Sequence, residues 1–261
     1  MEMFFRTESF KDFIRFYPMI TGIIAIQLVV WLLTTFSNTL AELIIFQWGG
    51  GWNLAIASGQ YWRLFTSIFI HSPESFSHVL FNSFSLVLFG PAIEQMVGKW
   101  KFIFIYLFTG IAGNIFTFLI DPSPMYLHYG ASGAVYGLIG LYIYMTFFRK
   151  DLIDPSSSQM IVIISIIGLL MTFIRPGINI YAHLFGFIAG IALGPIILTK
   201  ATPFSPWRNN RRQQRDPNGV NFNPNRWRKR KILTGKNTGN IIWGIIIALV
   251  ILGFLGNIFN L

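Results

Sequence analysis

The chain has 261 residues, of which 53% are hydrophobic and only 11% charged. A water-facing domain carries about 25% charged residues, so this composition excludes an ordinary soluble protein and makes lipid the expected solvent. The formal charge of +10 would suit nucleic acid, but most basic residues fall in loops between apolar runs, and the lack of cysteine excludes disulfide and thiolate chemistry.

Residues 1–18 mix acids, bases and aromatics, and no small-residue cleavage site follows the first apolar run, so they read as a cytoplasmic N-terminal segment rather than a secretory signal. A membrane-crossing helix needs about 20 mainly apolar residues. The first such run is 19–36. The long loop 37–77 carries Trp48, Trp52, Tyr61 and Trp62, residue types that favour the headgroup layer, and is expected to lie in the membrane interface. Runs at 78–97, 102–120 and 131–148 follow. The run at 160–174 is shorter, and Pro155 and Pro176 suggest a break on each side. A further run occupies 180–198. Residues 201–240 are rich in Arg, Asn and Pro and read as a basic cytoplasmic linker, either a solvated charge run that fixes topology or one held to anionic lipid. The last run, 241–259, lies in the terminal segment 241–261. The fold class is therefore all-α: a polytopic transmembrane helix bundle with a six-helix core at 19–200 and one additional C-terminal transmembrane helix. Eighteen of the twenty Lys and Arg residues fall on one side of this arrangement, only Arg63 and Arg175 on the other. The positive-inside rule then puts the N-terminus in the cytoplasm.

Polar side chains inside a membrane are costly and suggest function. Gly130-Ala131-Ser132-Gly133 opens the fourth span. Its glycines let another backbone approach the serine hydroxyl, and the helix start offers unpaired N–H groups to a developing negative charge; small residues here also suit helix packing. His183 stands near the outer third of the sixth span, with Gly186 and Gly190 on a face that permits close helix contact. A neutral imidazole there can take a serine proton or simply bridge two helices. His78 and Asn82, four residues apart, share a face and supply either two donors for an oxyanion or polar glue between helices. Tyr136 lies one turn inward from Ser132, placed to support the histidine ring. No acidic third member is evident, so a hydrolase built from these residues uses a Ser132–His183 dyad. The four histidines are scattered and no His-Glu-x-x-His occurs, so no metal and no cofactor is expected.

Taken together these residues resemble the rhomboid family of intramembrane serine proteases. The match runs from Gly59 to Leu198 and includes Trp62-Arg63, His78-Val-Leu-Phe-Asn82, Glu94, Gly130-Ala-Ser132-Gly133 with Tyr136, and Ala182-His183-Leu-Phe-Gly186 with Gly190. The resemblance implies Ser132 as nucleophile and His183 as general base, with an oxyanion hole of His78, Asn82 and the Ser132 N–H. It also implies that Tyr136 stacks on His183, that Trp62 and Arg63 stabilise the interfacial loop, and that Glu94 anchors helix contacts on the cytoplasmic side. The partners it implies are transmembrane protein substrates and membrane lipid, not nucleic acid, with the oligomeric state left open. The implied setting is a bacterial cell membrane with the active site near the external face. Members often carry another histidine five residues before the one matching His78; here His71 stands seven before, and it is left out of the site. A non-catalytic rhomboid-like protein would lack the serine or the histidine, and a transporter would show polar residues or broken helices through the midplane.

Overall fold

The computed structural model describes residues 3–4 and 8–205; the linker beyond residue 205 and the run at 241–259 lie outside the described residues. Helix α1 (Phe10–Phe16) is capped by Ser9, whose hydroxyl accepts from the Asp12 N–H. Helix α2 (Pro18–Phe36) begins on a proline, which costs nothing at a position whose N–H has no helical partner. A short α3 (Asn38–Ala41) runs into a π-helical segment, Glu42–Gly49, followed by β1 (Gly51–Trp52), α4 (Asn53–Ala57), α5 (Arg63–Thr66) and a 3₁₀ turn, Ser67–Phe69. Then come α6 (Phe76–Val97), α7 (Lys99–Ile120), β2 (Leu127–His128), α8 (Ser132–Phe148), α9 (Pro155–Ile174) and α10 (Ile180–Ile197). Among the described residues α2, α6, α7, α9 and α10, the last with its 3₁₀ extension to Lys200, are long and apolar enough to cross a membrane, and α8 is a shorter apolar helix of 17 residues. The result is a helical membrane bundle.

Two features depart from the sequence reading. Pro155 does not break the fifth span. It occupies the first turn of α9, where Asp154 caps the helix by accepting from the Ser157 N–H at 3.0 Å and from the Ser157 hydroxyl at 2.6 Å. The helix is thereby extended to 20 residues, a full span. The second feature is a two-residue antiparallel ladder, Gly51 opposite His128 and Trp52 opposite Leu127, inside an otherwise helical fold.

The bundle is held by backbone approach. On α8, Gly133, Gly137 and Gly140 lie against Ala182, Gly186, Phe187 and Gly190 of α10, and the open side of Gly137 takes Thr109 of α7. A Cβ on Gly186 would overlap the Gly133 carbonyl oxygen, one on Gly190 that of Gly137, and one on Gly140 that of Phe187. Lipid gives helices no hydrophobic reason to associate, so close packing between small residues is the main attraction available. The adjoining core is large and apolar: Phe102, Ile105, Tyr106, Leu138, Leu141 and Tyr142 are fully buried. Glu94, buried on α6, accepts from the Met19 and Ile20 N–H groups at 3.3 and 3.2 Å. Its carboxylate thus occupies the N-terminus of α2, where helix polarity favours negative charge.

Candidate active site

Ser132 opens α8, at the end of the chain that leaves β2. Gly130 holds φ +134°, a conformation that side chains rarely adopt, and its N–H donates to the Ser67 carbonyl at 2.9 Å. A Cβ at Gly130 would stand 2.9 Å from His78 Nε2 and 3.8 Å from Ser132 Oγ. The absent side chain is therefore what lets His78 and Ser132 share one corner. Ser132, Gly133 and Ala134 form the first helical turn, whose N–H groups have no carbonyl within the helix to meet.

On α6, His78 takes a hydrogen bond on Nδ1 from the Ser72 N–H at 3.4 Å, and Nε2 is the nitrogen turned towards Gly130. Asn82 is buried and its amide donates to the His78 carbonyl at 2.8 Å, committing one of its two protons. His71, set aside on spacing, is fully buried and lies edge-on to His78 with ring centroids 5.0 Å apart. The turn at Pro73–Glu74 takes up the extra residues between them.

His183 sits in the first turn of α10. Asn179 caps that helix, accepting from the Ala182 N–H at 3.0 Å, and Thr117 of α7 reaches the same Asn179 oxygen at 3.0 Å. The imidazole is buried and stacked on Tyr136, centroids 4.2 Å apart and planes at 20°. Its Nδ1 lies 2.8 Å from the Thr172 hydroxyl of α9. Tyr136 also reaches Thr172, oxygen to oxygen, at 3.1 Å. Ser132 and His183 adjoin one contact between their helices, where a Cβ on Gly133 would stand 3.2 Å from the Ala182 carbonyl. Among the described residues no hydrogen bond joins Ser132 to His183. Such bonds are often long in an enzyme without substrate and tighten when one binds.

A serine on α8 and a histidine on α10 thus stand on two helices packed against each other. A Rhomboid domain model matches residues 58–200, more than half of the chain. The chain belongs to the rhomboid family. It is 44% identical over 199 residues to the "Putative rhomboid protease YdcA" of Bacillus subtilis, covering 76% of this chain and 98% of that one. It is 33% identical over 184 residues to the rhomboid protease GluP of the same organism, covering 69% of this chain but 35% of GluP. Rhomboid-like protease 1 of Toxoplasma gondii is 31% identical over 177 residues, covering 64% of this chain and 58% of that one. The chain is thus a multi-pass membrane protein and a serine protease of the rhomboid, intramembrane type.

In this rhomboid the loop between α2 and α6 is tied together by one cation. Arg63 is 1% exposed. Its guanidinium donates to the carbonyls of Phe46, Gln47 and Gly50 at 3.0, 2.6 and 2.8 Å, and to the Gln60 side chain at 2.7 Å. Those carbonyls end the π-helical segment, where unpaired acceptors and helix polarity both favour a cation. Trp62 donates its indole N–H to the Trp48 carbonyl at 2.9 Å. Asn114 of α7 joins the loop to the bundle by donating to the Leu64 carbonyl at 2.9 Å and the Ser67 hydroxyl at 3.0 Å. Two residues of the site region, Thr172 and His71, were not found from sequence. No spacing rule connects Thr172 to a histidine on the next helix, and the stretched interval before His78 concealed His71.

Proposed function

We propose that the protein hydrolyses peptide bonds in or near the transmembrane segments of membrane-protein substrates, with Ser132 as nucleophile and His183 as general base. The observation that carries this reading is the fixed imidazole. His183 is stacked on Tyr136 and held at Nδ1, on a helix whose backbone touches the first turn of α8 beside Ser132. Its other nitrogen is left to take the Ser132 proton as the hydroxyl attacks the scissile carbonyl, and to return it to the leaving amine. Water then cleaves the acyl-enzyme. His78 Nε2, the second Asn82 amide proton and the Ser132 N–H are the donors for the tetrahedral oxyanion; Gly130, Gly133, Gly186 and Gly190 are the close approaches that bring these groups together.

The apolar helices from α2 to α10 form the six-helix catalytic unit at 19–200, with the basic linker and the C-terminal span beyond it. The charge pattern supports a cytoplasmic N-terminus and an active site near the external face of a bacterial cell membrane. A substrate helix hides its carbonyls in its own hydrogen bonds, so it must unwind before Ser132 attacks; Gly, Pro or small residues near the cut favour this. The turn about Pro176 and the outer part of α9 are the movable side of a lateral entrance.

The test is turnover of a panel of single-span substrates by purified protein in lipid vesicles. Ser132→Ala and His183→Ala each abolish cleavage without loss of fold, and the double variant is little worse than either, since the two act as a unit. Wild-type turnover by Ser132→Ala would refute the assignment. Asn82→Ala lowers kcat by up to about 10²- to 10³-fold if it donates to the oxyanion; full turnover with a lowered melting temperature would remove it from the site.

A further inference from the structure

The dyad reading leaves one requirement open. A neutral imidazole carries one proton on one of two nitrogens, and His183 acts as a base towards Ser132 only if that proton is on Nδ1. The surroundings of Thr172 decide the point. The Thr172 hydroxyl is buried on α9 among three polar neighbours: the Gly168 carbonyl at 2.9 Å, His183 Nδ1 at 2.8 Å and the Tyr136 hydroxyl at 3.1 Å. A hydroxyl has one proton to give and two lone pairs to receive. The Gly168 carbonyl can only accept, and two oxygens 2.9 Å apart with no proton between them repel, so the Thr172 proton goes to Gly168. Both other neighbours must then donate. Tyr136 supplies its O–H, and His183 supplies Nδ1–H.

We propose that Thr172 is a positioning residue that locks His183 in the Nδ1-protonated tautomer, leaving Nε2 free to take the proton of Ser132. The proposal rests on the dyad reading and supplies what that dyad lacks, a third group that orients the base. The local sequence fits the task. Gly168 carries no side chain, and a Cβ there would stand 2.9 Å from the Tyr136 hydroxyl; its absence lets tyrosine reach Thr172 while its ring stays stacked on His183. A neutral hydroxyl also suits the setting better than the carboxylate of a soluble triad, because an ionised acid at this depth carries a heavy desolvation cost.

The test compares Thr172→Val, which keeps the shape and loses the hydroxyl, with Thr172→Ser, which keeps the hydroxyl. One readout is the rate at which a fluorophosphonate probe labels Ser132 per folded molecule. The other is the tautomer of His183 by ¹⁵N NMR of histidine-labelled protein, its signal assigned by its loss in His183→Ala. The expected result is a single Nδ1-protonated form in the wild type and in Thr172→Ser. Thr172→Val shows a mixture of tautomers, with labelling slowed about tenfold or more, the worth of one hydrogen bond. An Nε2-protonated wild type, an unchanged tautomer in Thr172→Val, or an unchanged labelling rate would each overturn the proposal; a lowered melting temperature alone is the mark of mere packing. Failure of the dyad reading looks different: His183→Ala would then label as fast as the wild type, whatever the tautomer.

Discussion

Helices α9 and α10 both lie against α8, but they are attached by different means. Along α10 the contact is backbone on backbone, through glycines whose Cβ atoms would overlap the facing carbonyls. Along α9 it is a single stripe of buried side chains, Ser157, Ile161, Ser165 and Thr172, while Ile163, Ile166, Ile167, Leu170, Phe173 and Ile174 face outward. The glycine seam has no slack, because nothing can be inserted without separating the helices. The stripe can be parted by giving up a few side-chain contacts and the bonds of Thr172. The serine and the histidine are thus carried by the more tightly joined pair, and α9 reaches the histidine through one hydroxyl.

The comparison breaks most readily at the seam. Gly190→Leu drives a side chain into the Gly137 carbonyl and is expected to cost about 3 kcal/mol or more, leaving little dispersed protein by size-exclusion chromatography. Ile167→Ala, on the lipid face of α9, changes stability by no more than about 0.5 kcal/mol. Equal losses in the two would show that the helices are held alike. The loop between α2 and α6 offers the next effect. Arg63→Ala strips three carbonyls of their donor and is expected to lower stability by about 3 kcal/mol, read as an earlier melting transition and faster proteolysis within the loop. A further effect is on pH dependence. Burial holds His128 down to about 4 and His71 down to about 3, against an ordinary value of 6.5. Both stay neutral in the fold while the unfolded chain takes up protons below about pH 6.5. Stability is therefore complete above that pH and declines as the pH falls towards 4. The melting temperature at pH 5 should lie below that at pH 7.5, and His128→Phe should remove part of the difference.

The helical spans were legible because lipid imposes a length and a composition on any chain that crosses it. A helix start was legible where it is written in consecutive residues, as at Gly130-Ala131-Ser132-Gly133. Pro155 misled because proline breaks a helix interior but opens a helix start, and only the Asp154 cap decides which applies. The Gly51–His128 ladder was invisible, since two residues carry no alternation to recognise. Thr172 was hidden for a different reason. It lies on the last turn of an apolar helix, where a lone threonine ordinarily bonds its own backbone, and its meaning appears only when the next helix folds back beside it.

The shortness of α8 has a consequence of its own. A Cβ on Gly110 of α7 would stand 3.3 Å from the Cβ of Ala134, so these two residues are level. From there α7 continues to Ile120 while α8 stops at Ser132. At 1.5 Å per residue the first overhang is about 15 Å and the second about 3 Å. Ser132 therefore lies about 12 Å short of the end of α7, measured along the helices. Any chain that approaches Ser132 from that end has to cover this difference in height, so the length of one helix sets how far it must reach.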